Sequence, residues 1–226
     1  MQYLLGTASP THPVPVKIYE GFKRELGQYR DYSFYYSPGG QLFTHQFSHA
    51  WFDFRGIVDG DGINWFENSI QASLASRQFC IDNPEGFQTY HAYSWGLTAS
   101  EGPNGYAGHG TPPYHKNVTP TSDGTVAPAA ALGSIVFTPD ESTDVLRYLF
   151  HNEPRLWGRY GLKDAYNLDK KPAWYSERVI GIDKGITLLM IENFRSGLVW
   201  ELYMQNDYVQ QGKELLGWKK EAKRND

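Results

Sequence analysis

The 226-residue sequence has a single cysteine and no long apolar run. Cys80 cannot form an internal disulfide, and its neighbours RQFCIDN show no metal-binding spacing, so we expect a small buried side chain there. No stretch approaches the roughly 20 apolar residues that span a bilayer, and the first residues do not form a basic segment followed by an apolar one. The sequence therefore predicts no membrane segment.

An excess of basic charge and the best-known catalytic motifs are also missing. The formal net charge is -4, which gives no footprint for nucleic acid. There is no glycine loop for phosphates, no HExxH or CxxC, and no G-x-S-x-G turn, so nucleotide, zinc and serine-hydrolase functions have no support. His109 and His115 lack the spacing of a metal site. We predict neither a metal nor a cofactor.

Aromatic residues, in contrast, are abundant, with 7 Trp, 16 Tyr and 12 Phe. Such rings either fill a large core or line an open cleft, where flat faces and polar edges suit sugars. Glycoside hydrolysis needs one carboxylic acid, a second carboxylate and groups that hold the sugar. Composition leaves the core and the cleft open as alternatives.

Hydrophobic periodicity predicts a mostly helical chain. Helices are expected over 14–27, from Thr44 to Gly56, and from a cap at Asn64 to just before Pro84. Others are expected in VAPAAALGSI, in TPDESTDVLRYLFHNE and, broken near Gly197, in DKGITLLMIENFRSGLVWELYMQ. Strands are few. The pattern indicates an all-α fold of paired helices in one domain over 1–212, followed by a charged, solvated tail over 213–226.

The segment from 84 to 126 has no convincing period and contains WGLTASEGPNGYAGHG. Irregular segments of that length are usually functional or disordered, and the aromatic content argues against disorder. Glu101 in this segment is either a turn residue or a functional carboxylate, and Trp95 and Tyr106 are candidates for sugar contact. His45 and Gln46 could also bind sugar hydroxyls, although a structural role is an alternative for the histidine.

Five acidic residues lie in apolar or glycine-rich surroundings near helix ends: Asp53, Glu101, Asp164, Asp183 and Glu192. Asp183 precedes an apolar helix, so it either caps that helix or faces a cleft. Glu192 and Arg195 are one turn apart, which favours a structural ion pair, with a position in the cleft as the alternative.

Several long motifs follow one another along the chain in this order: LLGTASPTHPVP, LFTHQFSHAWFDFRGI, WFENSIQASLASRQFCIDNP, WGLTASEGPNGY, DGTVAPAAALGSIVFTP, LWGRYGLKDAYNL and GIDKGITLLMIENFRSGLVW. Over roughly residues 3 to 210 the chain resembles the glycoamylase-like domain family, which includes bacterial endo-β-1,2-glucanases. The resemblance implies an (α/α)6 toroid with a glucan-binding cleft, carboxylate chemistry and no cofactor. Such a toroid needs about twelve helices, so the chain resembles its C-terminal half.

The resemblance also implies roles for particular residues. A Tyr-Asn-Glu-like motif, whose Glu is a candidate general acid, typically precedes LLGTASP in the family, upstream of Met1. Asp183 matches a second carboxylate and is expected to act as the base of an inverting mechanism. Two departures bear on the site: DKG replaces the usual DQGP at Asp183, and Glu101 stands where relatives often have Asp.

We therefore expect a glycoside hydrolase acting on a glucan, most specifically a β-1,2-glucan, with Asp183 catalytic. The expected sugar-contacting residues are His45, Gln46, Trp95, Glu101, Tyr106, Glu192 and Arg195. We also expect a monomer in the periplasm or outside the cell, with a glucan as its only expected partner. A carbohydrate-binding domain without catalysis and a helical structural protein are the two alternatives.

Overall fold

The structure is a computed structural model that describes residues 1–222. Within them it has eight α-helices, none of which combines the length and apolar character needed to cross a membrane. In chain order the helices are α1 (Gln2–Thr7), α2 (Phe47–Trp51), α3 (Trp65–Asp82), α4 (Pro128–Leu132), α5 (Pro139–Asn152), α6 (Gly181–Arg195), α7 (Leu198–Met204) and α8 (Asp207–Leu215).

The strands of the described residues are short and pair only in twos, each antiparallel. The pairs are β1 (Glu25–Tyr29) with β2 (Tyr32–Tyr36), β3 (Ile57–Val58) with β10 (Lys219–Lys220), β4 (Ala99–Gly102) with β5 (Gly105–Gly108), β6 (Trp157–Gly158) with β7 (Gly161–Leu162), and β8 (Tyr166–Asn167) with β9 (Trp174–Tyr175). The prediction of a mainly helical fold with few strands is confirmed.

The helix α3 shows how local sequence sets the fold. The Asn64 side chain accepts from the backbone N–H groups of Phe66 and Glu67, which would otherwise lack partners at the helix start. Asn83, with φ of 42°, ends the helix in the left-handed region. Its buried face consists mostly of small alanine and serine side chains, so neighbouring segments can approach the backbone closely.

The predicted helix over 14–27 is wrong. Val16–Tyr19 form one short 3-10 turn, and the chain then enters the hairpin of β1 and β2. The helical spacing of the apolar residues is misleading here. Val16 and Phe22 remain exposed instead of forming the buried face of a helix. Gly27 lies in the hairpin, where Pro113 and Tyr36 leave no room for a side chain. Tertiary contacts therefore override the local period.

The helix expected to end at Gly56 is also shorter than predicted. After a 3-10 turn over Leu42–His45, α2 ends at Trp51 because Phe52 and Phe54 turn inward and pack against Trp218. In contrast, the break near Gly197 is confirmed, since that residue has a φ of 72° between α6 and α7.

The tail expected to be solvated from residue 213 is partly folded. The boundary at 212 falls inside α8, Leu216 and Trp218 are buried, and β10 pairs with β3. The apolar residues among the charged ones dock the segment against the cluster around Phe52. Residues 223–226 lie outside the described part of the chain.

Candidate active site

The candidate site lies where α6 begins, close to the hairpin of β4 and β5. Asp183 is the third residue of α6, and Ile180 occupies the N-cap position, so the simple capping role is wrong. The Asp183 side chain is buried, and its Oδ2 atom has no hydrogen-bond partner. Burial and, next, the hydrogen bond and charge of Asp164 raise the pKa of Asp183 to about 7, against a smaller opposing effect of Lys184.

Asp164 is the partner of Asp183 and comes from the turn between β7 and β8. Only 2% of its surface is exposed, its Oδ2 accepts from the Glu101 backbone N–H at 2.7 Å, and its Oδ1 has no partner. Burial raises the pKa of Asp164, while the backbone N–H of Glu101 and the hydrogen bond with Asp183 oppose the shift. Two buried carboxyl groups therefore meet, each with one oxygen that no protein group satisfies.

Glu101, on β4, contributes through its backbone as well as its side chain. Its Oε1 forms an ion pair with Arg178 Nε at 3.0 Å, and its Oε2 accepts a short hydrogen bond from the Ser176 hydroxyl. These contacts tie the hairpin to the segment that leads into α6. The Glu101 carboxylate is thus engaged, whereas its N–H orients Asp164.

Two further groups complete the surroundings of the carboxyl pair. Lys184 is half-buried, and burial lowers the pKa of its ammonium group although both aspartates oppose that shift. Tyr106, opposite Glu101 in the hairpin, is 58% exposed, and burial of its hydroxyl, then the charges of Asp183 and Asp164, raise its pKa. An open aromatic ring therefore lies near the paired carboxyls, which suits contact with a sugar.

The other expected sugar contacts are placed differently. Gln46 and Trp95 are fully buried, and the Gln46 amide donates to Ala130 O and to Ser134 Oγ. Their side chains hold the core together, and neither reaches a surface where sugar could touch it. His45 is half-buried and lines a groove, and burial lowers its pKa to about 4, so the ring is neutral at neutral pH.

The remaining acidic candidates are held in ion pairs away from the start of α6. Glu192 and Arg195 form the pair expected of residues one turn apart, at 3.4 Å near the end of the helix. Asp53 forms an ion pair with Arg55 at 2.8 Å. Across residues 1–222 no group of three or more His, Cys, Asp or Glu side chains is arranged to hold a metal ion.

The groove that His45 lines has a volume of about 610 Å³ and is separate from the carboxyl pair. Many of its walls are aromatic, including Tyr3, Tyr19, Phe22, Tyr35, Trp51 and Trp65.

Asp164 is one of the five acidic candidates in the sequence but was not selected as a site residue, and Ser176, Arg178 and Lys184 were missed. The position of Asp164 beside Asp183 depends on the hydrogen bond to Glu101, which is 63 residues away in the chain. No local pattern carries that contact. The glycine-rich surroundings of GLKDAYNL were the only available signal.

The comparisons with known proteins point in one direction. A family model described as "Putative glucoamylase" matches residues 1–207. An exo-β-1,2-glucooligosaccharide sophorohydrolase from Parabacteroides distasonis is 36% identical over 181 residues, which are 80% of this chain and 24% of that protein. The chain thus spans about a quarter of the length of this relative.

Solved structures agree. A protein of the same glucoamylase description from Bacteroides uniformis has a TM-score of 0.86 at 35% identity, over 96% of this chain and 53% of its own. The endo-β-1,2-glucanase of Chitinophaga pinensis, in complex with sophorotriose and glucose, has a TM-score of 0.85 at 31% identity, with the same coverage. The chain therefore spans about half of each of these structures. On the family match over residues 1–207 and these identities, the chain belongs to the glycoamylase family.

Proposed function

We propose that this chain is part of a glycoside hydrolase that cleaves a glucan, most specifically a β-1,2-linked glucan. The observation that carries the proposal is the buried pair of Asp164 and Asp183 at the start of α6, with oxygens that no protein group satisfies. Relatives named as β-1,2-glucan hydrolases support the choice of linkage.

In the proposed mechanism Asp183 acts as the general base of an inverting reaction. It takes a proton from a water molecule as the water oxygen attacks the anomeric carbon, and a second carboxylic acid protonates the departing oxygen. A base works best when its pKa lies near the working pH, and the pKa of about 7 for Asp183 meets that condition at neutral pH. The resemblance assigns the acid to a Glu that precedes the segment matched here.

For substrate contact we propose Tyr106 first, because its exposed ring lies beside the carboxyl pair. His45 is proposed as a neutral hydrogen-bonding group at the groove. Glu101 is proposed to act through Asp164, whereas Glu192 and Arg195 remain predicted contacts whose charges now pair with each other.

We further propose that the chain forms the C-terminal half of an (α/α)6 toroid. The solved relatives superpose on 96% of this chain but extend over about twice its length. A monomer in the periplasm or outside the cell remains a prediction, which sedimentation of the parent protein and fractionation of producing cells would check.

The test is release of reducing ends by the complete parent protein from a panel of linkage-defined glucans. We expect turnover on β-1,2-glucan, and a loss of about 10²–10⁴-fold in kcat on Asp183→Asn, which is the typical contribution of one proton-transfer group. Asp144→Asn, on an exposed part of α5, is the matched control and should leave turnover unchanged. Binding without turnover on any glucan would favour the carbohydrate-binding alternative, and full activity of Asp183→Asn would remove that residue from the mechanism.

A further inference from the structure

We propose that Asp164 and Asp183 hold one proton between them, and that Asp164 is the positioning residue that prepares Asp183 for proton transfer. The inference rests on the proposed role of Asp183 as the base. It goes further because it assigns a task to a second aspartate that does not itself react with the substrate.

Asp164 and Asp183 each have one buried carboxyl oxygen without a hydrogen-bond partner. An ionised carboxylate can only accept hydrogen bonds, so two ionised carboxylates cannot bond to each other. Yet the side chains of Asp164 and Asp183 are within hydrogen-bonding contact, both are more than nine-tenths buried, and each has one oxygen without a protein donor. A single proton between them is the smallest addition that removes this conflict.

Asp164 is held in place by hydrogen bonds to the backbone of two other segments. Its Oδ2 accepts from the Glu101 N–H, and its own N–H donates to Arg178 O at 3.2 Å. Glu101 is held in turn by Ser176 and by Arg178. Asp164 therefore has one oxygen occupied by the scaffold and one free for Asp183, as expected of a residue that orients a reacting group.

The surroundings of the two aspartates contain a positive charge, that of Lys184. The half-buried ammonium group of Lys184 lowers the pKa of both aspartates, and its single charge balances a pair that carries one negative charge rather than two. Tyr106 faces the pair from β5, and Glu101 is already neutralised by Arg178. The helix α4 packs on α6 but carries no titratable side chain, since its sequence is PAAAL.

The other helices that contact α6 meet its far end. Asn193 donates to Ala50 O at the end of α2 and accepts from Trp200 N on α7, well along the helix from Asp183. His49 of α2 lies in that region, bonded to Ser69. The titratable groups that act on the carboxyl pair are thus Lys184, Tyr106 and Glu101.

The shared proton has a defined place in the reaction. When the pair has lost its proton, ionised Asp183 accepts one proton from the attacking water, whose oxygen bonds to the anomeric carbon, and shares that proton with Asp164. The glycosidic bond breaks with its electron pair on the departing oxygen, which takes a proton from the separate acid. The aspartate pair then holds one proton again, and it returns that proton to solvent while the acid recovers one.

The proposal is tested by following the carboxyl carbons of ¹³C-aspartate in the 226-residue chain by NMR as pH is varied. We expect one signal to titrate near pH 7 in the wild type, assigned to Asp183 by its loss in Asp183→Asn. In Asp164→Asn, whose amide oxygen can still accept from Glu101 N and whose NH₂ can donate to Asp183, the midpoint should fall by about one to two units. Asp144→Asn is the control and should leave the midpoint in place.

Reciprocal evidence comes from the second variant. Asp183→Asn should lower the midpoint of Asp164, and it tests the coupling even where Asp164→Asn fails to fold, which circular dichroism would reveal. The proposal is overturned if both carboxyl groups titrate below about pH 5 in the wild type. It is also overturned if the midpoint of each aspartate stays unchanged when the other aspartate is replaced. These titrations need no glucan, so their failure is distinct from the failure of the proposed hydrolysis.

Discussion

Two buried carboxylates in this chain, Asp59 and Asp183, differ in how fully their oxygens are hydrogen-bonded. Asp59 is 2% exposed and accepts four hydrogen bonds, from the Tyr19 hydroxyl, the Trp65 indole and the backbone N–H groups of Asp61 and Ile63. Asp183 is 7% exposed and has an oxygen with no donor, and the nearest side chain bonded to it is another carboxyl.

We propose that this difference separates a structural carboxylate, Asp59, from a functional one, Asp183. Burial penalises a charge unless hydrogen bonds and an opposite charge compensate it, and Asp59 has both, with Arg24 at 3.6 Å. Around Asp183 the compensation is incomplete, which raises its pKa and leaves it ready to take a proton. Both residues are aspartates in turns or helix starts, so residue type alone does not distinguish them.

The largest expected effect is the loss of the structural carboxylate. Asp59→Ala removes the acceptor of the Tyr19 hydroxyl and the Trp65 indole and leaves the partly buried Arg24 without its inner partner. We expect the free energy of unfolding to fall by about 3–5 kcal/mol, measured by urea denaturation. Asp61→Ala, which removes the 60% exposed partner of the same arginine, is the matched control. Its loss should stay below about 1 kcal/mol, and equal losses in the two variants would contradict the comparison.

Replacing Asp183, the carboxylate proposed to be functional, should increase the free energy of unfolding rather than lower it. Because the folded state raises the pKa of Asp183 from 3.8 to about 7, ionising it costs stability as pH rises through that window. Asp183→Asn removes that cost. The variant should match the wild type near pH 4 and be more stable by about 2 kcal/mol near pH 8, about half of the full shift because Asp164 shares it.

Thermal unfolding of Asp183→Asn and the wild type at several pH values measures this difference. The Asp144→Asn variant should show no such pH-dependent gain, since Asp144 is exposed and pairs only with Arg147. A variant that is less stable than the wild type at alkaline pH would show that the ionised Asp183 is well compensated after all.

Local signals predicted the parts of the fold that local interactions determine. The cap at Asn64 and the break at Gly197 were predicted correctly because a side-chain oxygen and a left-handed glycine act within a few residues. The helix over 14–27 was wrong because the hairpin of β1 and β2 depends on long-range contacts such as that of Gly27 with Pro113.

The site divides in the same way. Asp183 was selected as a candidate because it precedes an apolar helix in a family motif, whereas Asp164 was not selected because its contact with Glu101 joins distant segments. Trp95 and Gln46 were proposed on chemistry suited to sugar, but burial is decided by packing that no short motif records. The chemical types of residues were therefore readable from the sequence, and their exposure was not.

The smallest expected effect separates the side chain of Glu101 from its backbone. Glu101→Gln weakens the ion pair with Arg178, whose side chain is 73% exposed, so the free energy of unfolding should change by less than about 1 kcal/mol. The backbone N–H of residue 101 still donates to Asp164, and the glutamine oxygen can still accept from Ser176, so the titration of Asp183 should keep its midpoint near pH 7. Urea denaturation and ¹³C NMR measure the two quantities. A midpoint that moves as far as it does in Asp164→Asn would show that the Glu101 carboxylate, and not only its N–H, sets the protonation of the pair.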